Sequence, residues 1–248
     1  LVRHVDKLFC NSRVLLPITT DHEIDFEFIN TFVAELEAER IVELEAYLTV
    51  TGLKDFALTE KECIAIEDLN TMTFKEFNAL DIFDVKNTSN LLSRDIIENS
   101  GSTPYLCASA ENNAVSSYIS HDVSFLNKGR CVFIGGKTFV VSYQKQDFFS
   151  NDSHNLALYL KKQQLVSENV FLGLVTCVNR SLKHKYSWGN SISSKKIKSD
   201  VIMLPVKNNK PDFESMEILI SAVKKLVIKD VVEYANNKIK AAKQAIAH

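Results

Sequence analysis

The sequence predicts an α+β protein in which a strand-rich globular domain is bracketed by two long helices. The first supporting observation is an internal repeat: residues 14–18 (VLLPI) and 25–27 (DFE) return as residues 202–206 (IMLPV) and 212–214 (DFE). The second is that each copy opens a long stretch in which apolar residues recur at helical spacing. The third is that residues 103–150 consist mostly of short apolar runs separated by turn residues, a pattern typical of strands.

The first copy opens a helix that is predicted within residues 21–52. Glu and Ala, which are good helix formers, fill many of its positions, with Asp25 as the predicted N-cap and Gly52 as the predicted end. About 24 residues at a rise of 1.5 Å per residue give a length of roughly 36 Å. The second copy opens a matching helix within residues 207–248, and lysines near its C-terminus suit the helix dipole.

The two helices carry matching apolar faces, and this match predicts that they pack on each other as an antiparallel coiled coil. The alternative is that each helix covers part of the central domain. The predicted pairing and partner-binding positions are Val33, Leu36, Leu44, Tyr47, Ile220, Val223, Val227 and Tyr234.

The chain between the helices divides into a connector and a domain. Residues 53–70 are mixed and polar and predict a connector, whereas residues 71–206 predict one α+β domain with a mixed, β-rich core. Its clearest local signal is a hairpin, in which residues 131–134 (CVFI) and 139–143 (FVVSY) flank a Gly-Gly pair. The other predicted elements are an aromatic-rich opening at 74–85, helices at 155–165 and 168–182, and a final strand at 200–204.

Composition indicates an ordinary globular protein. Of its 248 residues, 46% are hydrophobic and 24% are charged, and no apolar run approaches the roughly 20 residues that span a bilayer. Residues 1–6 lack the apolar core of a signal peptide, and the missing initial Met leaves a fragment as one interpretation. Five scattered cysteines without metal-ligand spacing predict neither a disulfide framework nor a zinc site, which fits a reducing cytoplasm.

Charge is segregated along the chain, although the formal net charge is only −2. Glutamates cluster in the first helical pattern, whereas residues 180–199 contain six Lys and Arg residues and no acidic residue. A basic segment of this kind favours a polyanionic partner.

No catalytic motif stands out. The chain has no glycine-rich loop for phosphates or dinucleotides, the Gly-Gly pair is interpreted as a turn, and the histidines are isolated. Cations, amides and aromatic residues instead form three clusters suited to phosphates and base edges, each of which a solvated loop would also explain. The predicted DNA-binding residues are Ser109, Asn112, Asn113, Lys137, Tyr143, Lys145, Lys183, Lys185, Tyr186, Trp188, Lys195 and Lys196.

Taken in order, these features resemble the specificity subunit of type I restriction-modification systems and the similar recognition subunits of BcgI-like enzymes. The resemblance covers nearly the whole chain, and its specificity comes from the order and spacing of short motifs. Those motifs are the two repeat copies at 14–27 and 202–214, the opening at 74–85, and the stretches 103–113, 134–144 and 185–189 (KYSWG).

The resemblance implies a non-catalytic recognition subunit. It implies that residues 71–206 form a target recognition domain that reads half of a bipartite site in double-stranded DNA. The helices would set the spacing of two half-sites and dock methyltransferase subunits. No cofactor is expected in this chain, since S-adenosylmethionine would bind to the methyltransferase, and a restriction endonuclease subunit would join the full complex.

The domain count departs from the family pattern, which has two recognition domains. Residues 1–20 duplicate the segment that ends at Val206 and are expected to be the tail of a preceding recognition domain. A half-subunit that pairs with another copy is the alternative. Two further functions stay open: the recognition part of a single-chain restriction-methyltransferase, and a dimerising protein-interaction module that binds no DNA.

Overall fold

The computed structural model describes residues 9–161 and 166–246. Predictions that fall on residues 1–8, 162–165 and 247–248 lie outside the described residues. The chain forms two compact units, which are Leu1–Ala57 with Lys225–His248, and Leu58–Lys224.

The helices fall in both units. They are α1 (Phe26–Val50), α2 (Glu60–Glu67), α3 (Ala79–Ile82), α4 (Glu168–Leu182) and α5 (Phe213–Ile246). Helix α5 begins in the second unit and ends in the first. The α+β class predicted from the sequence is confirmed, because these helices accompany three separate sheets.

The three sheets belong to the second unit. The first contains β1 (Phe74–Asn78), β9 (Val201–Lys207) and β10 (Lys210–Pro211) in the order β1-β9-β10. The second contains β2 (Phe83–Asn87), β5 (Cys131–Ile134), β6 (Val141–Gln144) and β8 (Leu156–Leu160) in the order β2-β8-β5-β6. The third contains β3 (Thr103–Leu106), β4 (Val115–Ile119) and β7 (Phe149–Ser150) in the order β4-β3-β7. Every pairing is antiparallel except that of β3 with β7.

Helix α4 packs against the four-stranded sheet and closes the main core of the second unit. The apolar positions of α4 recur at helical spacing and are buried at Val170, Phe171, Leu174, Val178 and Leu182. The side chain of Ser167 caps the helix by accepting a hydrogen bond from the Val170 N–H. Full burial of each large apolar side chain contributes about 1.5–3 kcal/mol, so this contact fixes the sheet on the helix.

One predicted helix is wrong. Residues 156–160 (LALYL) form β8, a central strand between β2 and β5, rather than part of a helix at 155–165. A strand that is covered on both faces is apolar throughout, and periodicity cannot distinguish such a run from a buried helix. The polar connector predicted at 53–70 also contains a helix, α2, which begins with a capping box between Thr59 and Glu62.

The predicted hairpin is confirmed as the pair β5–β6, in which Ile134 lies opposite Val141. Close packing explains the glycine at position 136. A Cβ atom there would lie 2.2 Å from the carbonyl oxygen of His154, well inside van der Waals contact. The Gly-Gly pair lies in the hairpin turn, as the sequence predicts, and the absence of a side chain at Gly136 allows the turn to approach His154.

The internal repeat is also a repeat of local structure. The N–H of Asp25 donates to the carbonyl of Pro17 at 3.0 Å, and the N–H of Asp212 donates to the carbonyl of Pro205 at 2.8 Å. Each aspartate then caps the helix that follows, since the Asp25 carboxylate accepts from Phe28 N–H at 2.8 Å and the Asp212 carboxylate accepts from Ser215 N–H at 3.0 Å. Both copies thus form a short hairpin that leads into a capped helix.

Within the first unit, α1 and the C-terminal part of α5 pack together in opposite directions. The buried contact contains Leu48, Val232 and Ala235. Leu44 and Ile228 pack beside it, and Lys238 pairs with Glu37 at 2.9 Å further along. Residues 37 and 48 of α1 thus meet partners that run backwards along α5, which confirms the antiparallel pairing.

Most of the predicted pairing positions lie outside this contact, and only Leu44 is part of it. The actual stripe on α5 is shifted by one residue, because apolar residues occur on several sides of this helix and do not define a single register. Ile220 packs instead on the core of the second unit. The exposed positions are Val33, Leu36, Tyr47, Val223, Val227 and Tyr234.

Candidate nucleic-acid interface

The β5–β6 hairpin supports two of the three predicted clusters, namely Ser109 to Asn113 and Lys137 to Lys145. Strand β6 is the edge of its sheet, and residues 107–114 run alongside it. At the turn end, the Thr138 hydroxyl donates to the Ala108 carbonyl at 2.9 Å. At the other end, the Asn113 amide donates to the Tyr143 carbonyl, and the Gln144 amide donates back to the Asn113 carbonyl, both at 2.9 Å. Ser109 therefore lies near the turn, and Asn112 and Asn113 lie near the opposite end of the hairpin.

The segment that carries Asn112 and Asn113 has an unusual backbone. Asn112, Asn113 and Ala114 have φ values of 45°, 53° and 68°, in the left-handed region. Asparagine tolerates this region better than other non-glycine residues, whereas alanine is strained there. The Ala114 carbonyl accepts from Cys107 N–H at 2.9 Å, and this bond holds the turn closed. Strained turns of this kind concentrate at functional sites, and both asparagines are exposed here.

Lys137 projects from the hairpin turn into a small charged cluster. Its ammonium group lies 2.8 Å from the Asp152 carboxylate, which also accepts a bond from the His154 ring at 2.7 Å. Burial of Asp152 opposes its ionisation, but the hydrogen bonds from Lys137 and His154 outweigh that effect and lower the pKa of Asp152 to about 2. Lys137 remains exposed, so its charge is available to an anionic partner while Asp152 fixes its position.

The third cluster, at residues 183–196, lies at the same end of the hairpin as Lys137. The N–H of Ile192 donates to the Gly136 carbonyl at 3.1 Å. Trp188 occupies the tip of a turn that Ser187 and Asn190 close, and it is 76% exposed. Lys196 braces this turn by donating to Asn190 Oδ1 at 2.7 Å. The exposed cations around the turn include Lys183, Lys185, Lys195 and Lys196.

Three of the predicted contact residues have structural roles. Tyr143 is buried and stacks on Phe171 with ring centroids 4.8 Å apart, so its ring cannot reach DNA. Tyr186 is buried as well, and its hydroxyl donates to Asp200 at 2.5 Å. Lys185 lies 3.2 Å from the same carboxylate. The sequence could not reveal these roles, because Asp200 is fifteen residues from Lys185 and belongs to no visible motif.

The remaining candidates fall into two groups at opposite ends of the hairpin. Ser109, Lys137 and the Trp188 turn lie at one end, and Asn112, Asn113 and Lys145 lie at the other. A four-residue strand is about 13 Å long, and the major groove of DNA is about 12 Å wide. Both groups are therefore within the reach of one duplex.

Sequence reasoning missed a set of basic residues beside Lys145. Lys86, Lys128 and Arg130 line a cleft of about 770 Å³ together with Lys145. These side chains come from β2, from the loop before β5 and from the segment after β6. No sequence signal joins them, because only the pairing of β2 with β8 and of β8 with β5 brings the segments together.

Other site chemistry is not evident in the described part of the chain. No cluster of three His, Cys, Asp or Glu side chains there could hold a metal ion. All five cysteines are free thiols, and burial raises the pKa of Cys131 to about 12, so this thiol stays protonated. No helix among the described residues is long and apolar enough to cross a membrane.

Comparison with known proteins adds one family and one curated relative. The sequence profile of the family described as type I restriction modification DNA specificity domain matches residues 72–234. The BcgI specificity subunit, part of a type II restriction enzyme of Heyndrickxia coagulans, is 27% identical over 156 residues, which are 62% of this chain and 45% of that protein. The chain thus spans about half the length of the curated relative that it matches.

Two solved structures are also similar. One is the S subunit of a type I restriction-modification system from M. genitalium, at 14% identity and a TM-score of 0.46, covering 88% of this chain and 52% of that one. The other is the HsdS subunit from Thermoanaerobacter tengcongensis, at 13% identity and a TM-score of 0.42, covering 86% and 51%.

Proposed function

Because the chain belongs to the type I restriction-modification DNA specificity domain family, we propose that its second unit is a target recognition domain that reads one half of a bipartite site in double-stranded DNA. The observation that carries this proposal is the extent of the family match, which begins at residue 72 and includes all three sheets. The strained, exposed turn at Asn112 and Asn113 and the exposed Trp188 turn supply side chains suited to a DNA groove.

Base reading is assigned to the side chains that the fold leaves exposed. The Asn113 amide nitrogen is engaged by the Tyr143 carbonyl, which leaves its side-chain oxygen to accept from a base. Lys137, Lys183, Lys195 and Lys196 would neutralise phosphates, because they carry charge on flexible stems. Tyr143 and Tyr186 support these elements from within the domain, and the exposed Lys185 is held 3.2 Å from the Asp200 carboxylate.

The chain would act without catalysis of its own. In this proposal, methyltransferase subunits that bind S-adenosylmethionine dock on the helices of the first unit, and a restriction endonuclease subunit completes the assembly. The exposed apolar residues of α1 support this role, since Phe28 and Phe32 stack 6.0 Å apart on a surface that also exposes Val33 and Leu36.

The N-terminal repeat copy supports a second recognition domain before this one. Leu16 corresponds to Leu204, and their exposed fractions are 49% and 0%. In the second copy, β1 and the core of its domain cover the strand. A preceding recognition domain would cover residues 14–18 in the same way. Hydrogen exchange of the intact protein tests this, because the amides of 14–18 should then be protected, and rapid exchange would contradict the proposal.

The reading function is tested by methylation of a random-sequence duplex library. The intact protein, assembled with its methyltransferase and S-adenosylmethionine, should methylate one bipartite motif. Asn112→Gly should relax the preference at one half of that motif, since glycine accepts the left-handed backbone and removes the side-chain amide together with its 3.0 Å bond to the Val115 carbonyl. Lys210→Gln, in the sheet β1-β9-β10 that does not carry this turn, serves as the control. Methylation without any sequence preference would refute the proposed function.

A further inference from the structure

A basic cleft lies at the far end of the β5–β6 hairpin, and Lys145 is the one predicted DNA-binding residue among its lining residues. Four cationic side chains line it, and two acidic ones, Asp84 and Asp147, lie among them. The lining therefore carries a formal charge of +2. The cations are Lys86, Lys128, Arg130 and Lys145.

The walls of this cleft are held rigidly. A Cβ atom at Gly129 would lie 2.3 Å from the carbonyl carbon of Gln146, so the two chain segments touch. The Gly129 N–H donates to the Asp147 carboxylate at 2.8 Å. The Tyr159 hydroxyl donates to the Lys128 carbonyl at 2.9 Å, and the Tyr159 ring lies 5.6 Å from the Lys86 ammonium group. The backbone that carries the cations is thus fixed before any ligand arrives.

The cations themselves remain available. Lys128 and Lys145 pair with Asp147 and Glu168 at 2.9 and 3.0 Å, but both lysines are largely exposed. Exposed ion pairs contribute only about 0–1 kcal/mol, so a stronger anion can displace them. The Arg130 guanidinium donates to the Val166 carbonyl at 2.8 Å and lies over the Phe171 ring, which uses one of its five donors and orients the rest.

The position of the cleft beside the Asn112–Asn113 turn indicates which ligand it binds. Lys145 directly follows Gln144, whose amide donates to the Asn113 carbonyl at 2.9 Å. A duplex that presents base edges to the Asn112–Asn113 turn therefore brings its sugar-phosphate backbone to the cleft. We propose that Lys86, Lys128, Arg130 and Lys145 clamp the phosphate backbone of DNA beside the Asn112–Asn113 turn. The clamp fixes the register of the domain on the duplex and carries no sequence preference itself. This inference rests on the proposed DNA-reading function.

The double variant Lys86→Gln/Lys128→Gln tests the clamp in the intact protein assembled with its methyltransferase. Both side chains are exposed, so folding should be retained, and circular dichroism checks this. Binding to a random-sequence duplex is measured across a salt series. The slope of log K against log salt should become shallower by about 1.8, since each lost phosphate contact removes about 0.9. The control variant Lys75→Gln/Lys210→Gln removes the same charge from the sheet β1-β9-β10 and should leave the slope unchanged.

The outcomes separate the clamp from the reading function. A shallower slope with an unchanged methylation motif supports the clamp. An unchanged slope, or an equal change in the control, overturns the clamp while a retained motif leaves the reading function standing. A shallower slope in a protein that has no sequence preference supports the clamp and refutes the reading function. Wild-type protein that binds no duplex at low salt overturns both.

Discussion

The substitution Tyr186→Phe distinguishes a core tyrosine from a DNA-contacting one. The Tyr186 hydroxyl donates to the buried Asp200 carboxylate at 2.5 Å, and the ring stacks on Phe139 with centroids 5.4 Å apart. Burial, and then the bond to Asp200, raises the pKa of Tyr186, so the hydroxyl remains a donor at neutral pH. Phenylalanine keeps the stacked ring and removes only this donor.

The expected cost follows from the partners that remain. Hydrogen bonds to charged groups contribute about 1.5–3 kcal/mol. Asp200 keeps Lys185 at 3.2 Å, so the loss should be about 2 kcal/mol in the free energy of unfolding. For a chain of this size, that corresponds to a decrease in Tm of roughly 4–8 °C.

Urea titration followed by circular dichroism measures the stability, a DNA-binding assay on the same samples measures affinity, and methylation of the random-sequence library gives the motif. Tyr186→Phe should lower the stability and leave the methylation motif unchanged. Trp188→Ala should instead keep the stability within about 0.5 kcal/mol of wild type and weaken DNA binding. Unchanged stability together with an altered motif in Tyr186→Phe would refute the structural role that we assign to this residue.

Three further substitutions test the fold within each of the two units. Gly136→Ala should destabilise the second unit by about 1–3 kcal/mol in urea titrations, because its Cβ meets the His154 carbonyl. Leu48→Ala should cost about 2–5 kcal/mol and speed hydrogen exchange in α1, whereas the exposed Val50→Ala should have almost no effect. Asp152 has a lowered pKa, so its roughly 2 kcal/mol of stability should persist above pH 4 and be lost as the pH falls towards 2; Asp152→Asn should flatten this acid dependence in pH-dependent unfolding.

Local patterns in the sequence predicted the features that depend on local chemistry. The Asp25 cap and the repeated junction are each determined by residues within a few positions of one another, whereas Gly136 is also required by its contact with His154. Helical spacing likewise predicted that α1 and α5 pair. It could not give the register, because α5 is apolar on several sides and only the partner determines that Ile228 and Val232 face inward.

Burial limited what the sequence could say about the candidate site. Tyr143 and Tyr186 occur in polar stretches that suggest exposure, yet Phe171 and Phe139 from other elements cover them. The cleft was missed for the opposite reason. Lys86 and Lys128 are ordinary surface lysines in the sequence, and they gain a common role only because β2, β8 and β5 are neighbours in one sheet.

The two copies of the repeat connect the local chemistry to the whole assembly. Both copies have the same hydrogen bonds and the same aspartate cap, so their folding depends on the motif and not on their surroundings. Their exposure differs because the strand of the second copy pairs with β1, while Leu15 and Leu16 of the first have no such cover within the described residues. Leu15 and Leu16 are 99% and 49% exposed, and contiguous exposed apolar surface of this kind marks protein–protein contacts. This difference in exposure between two equivalent junctions supports the proposal that a second recognition domain lies against residues 14–18.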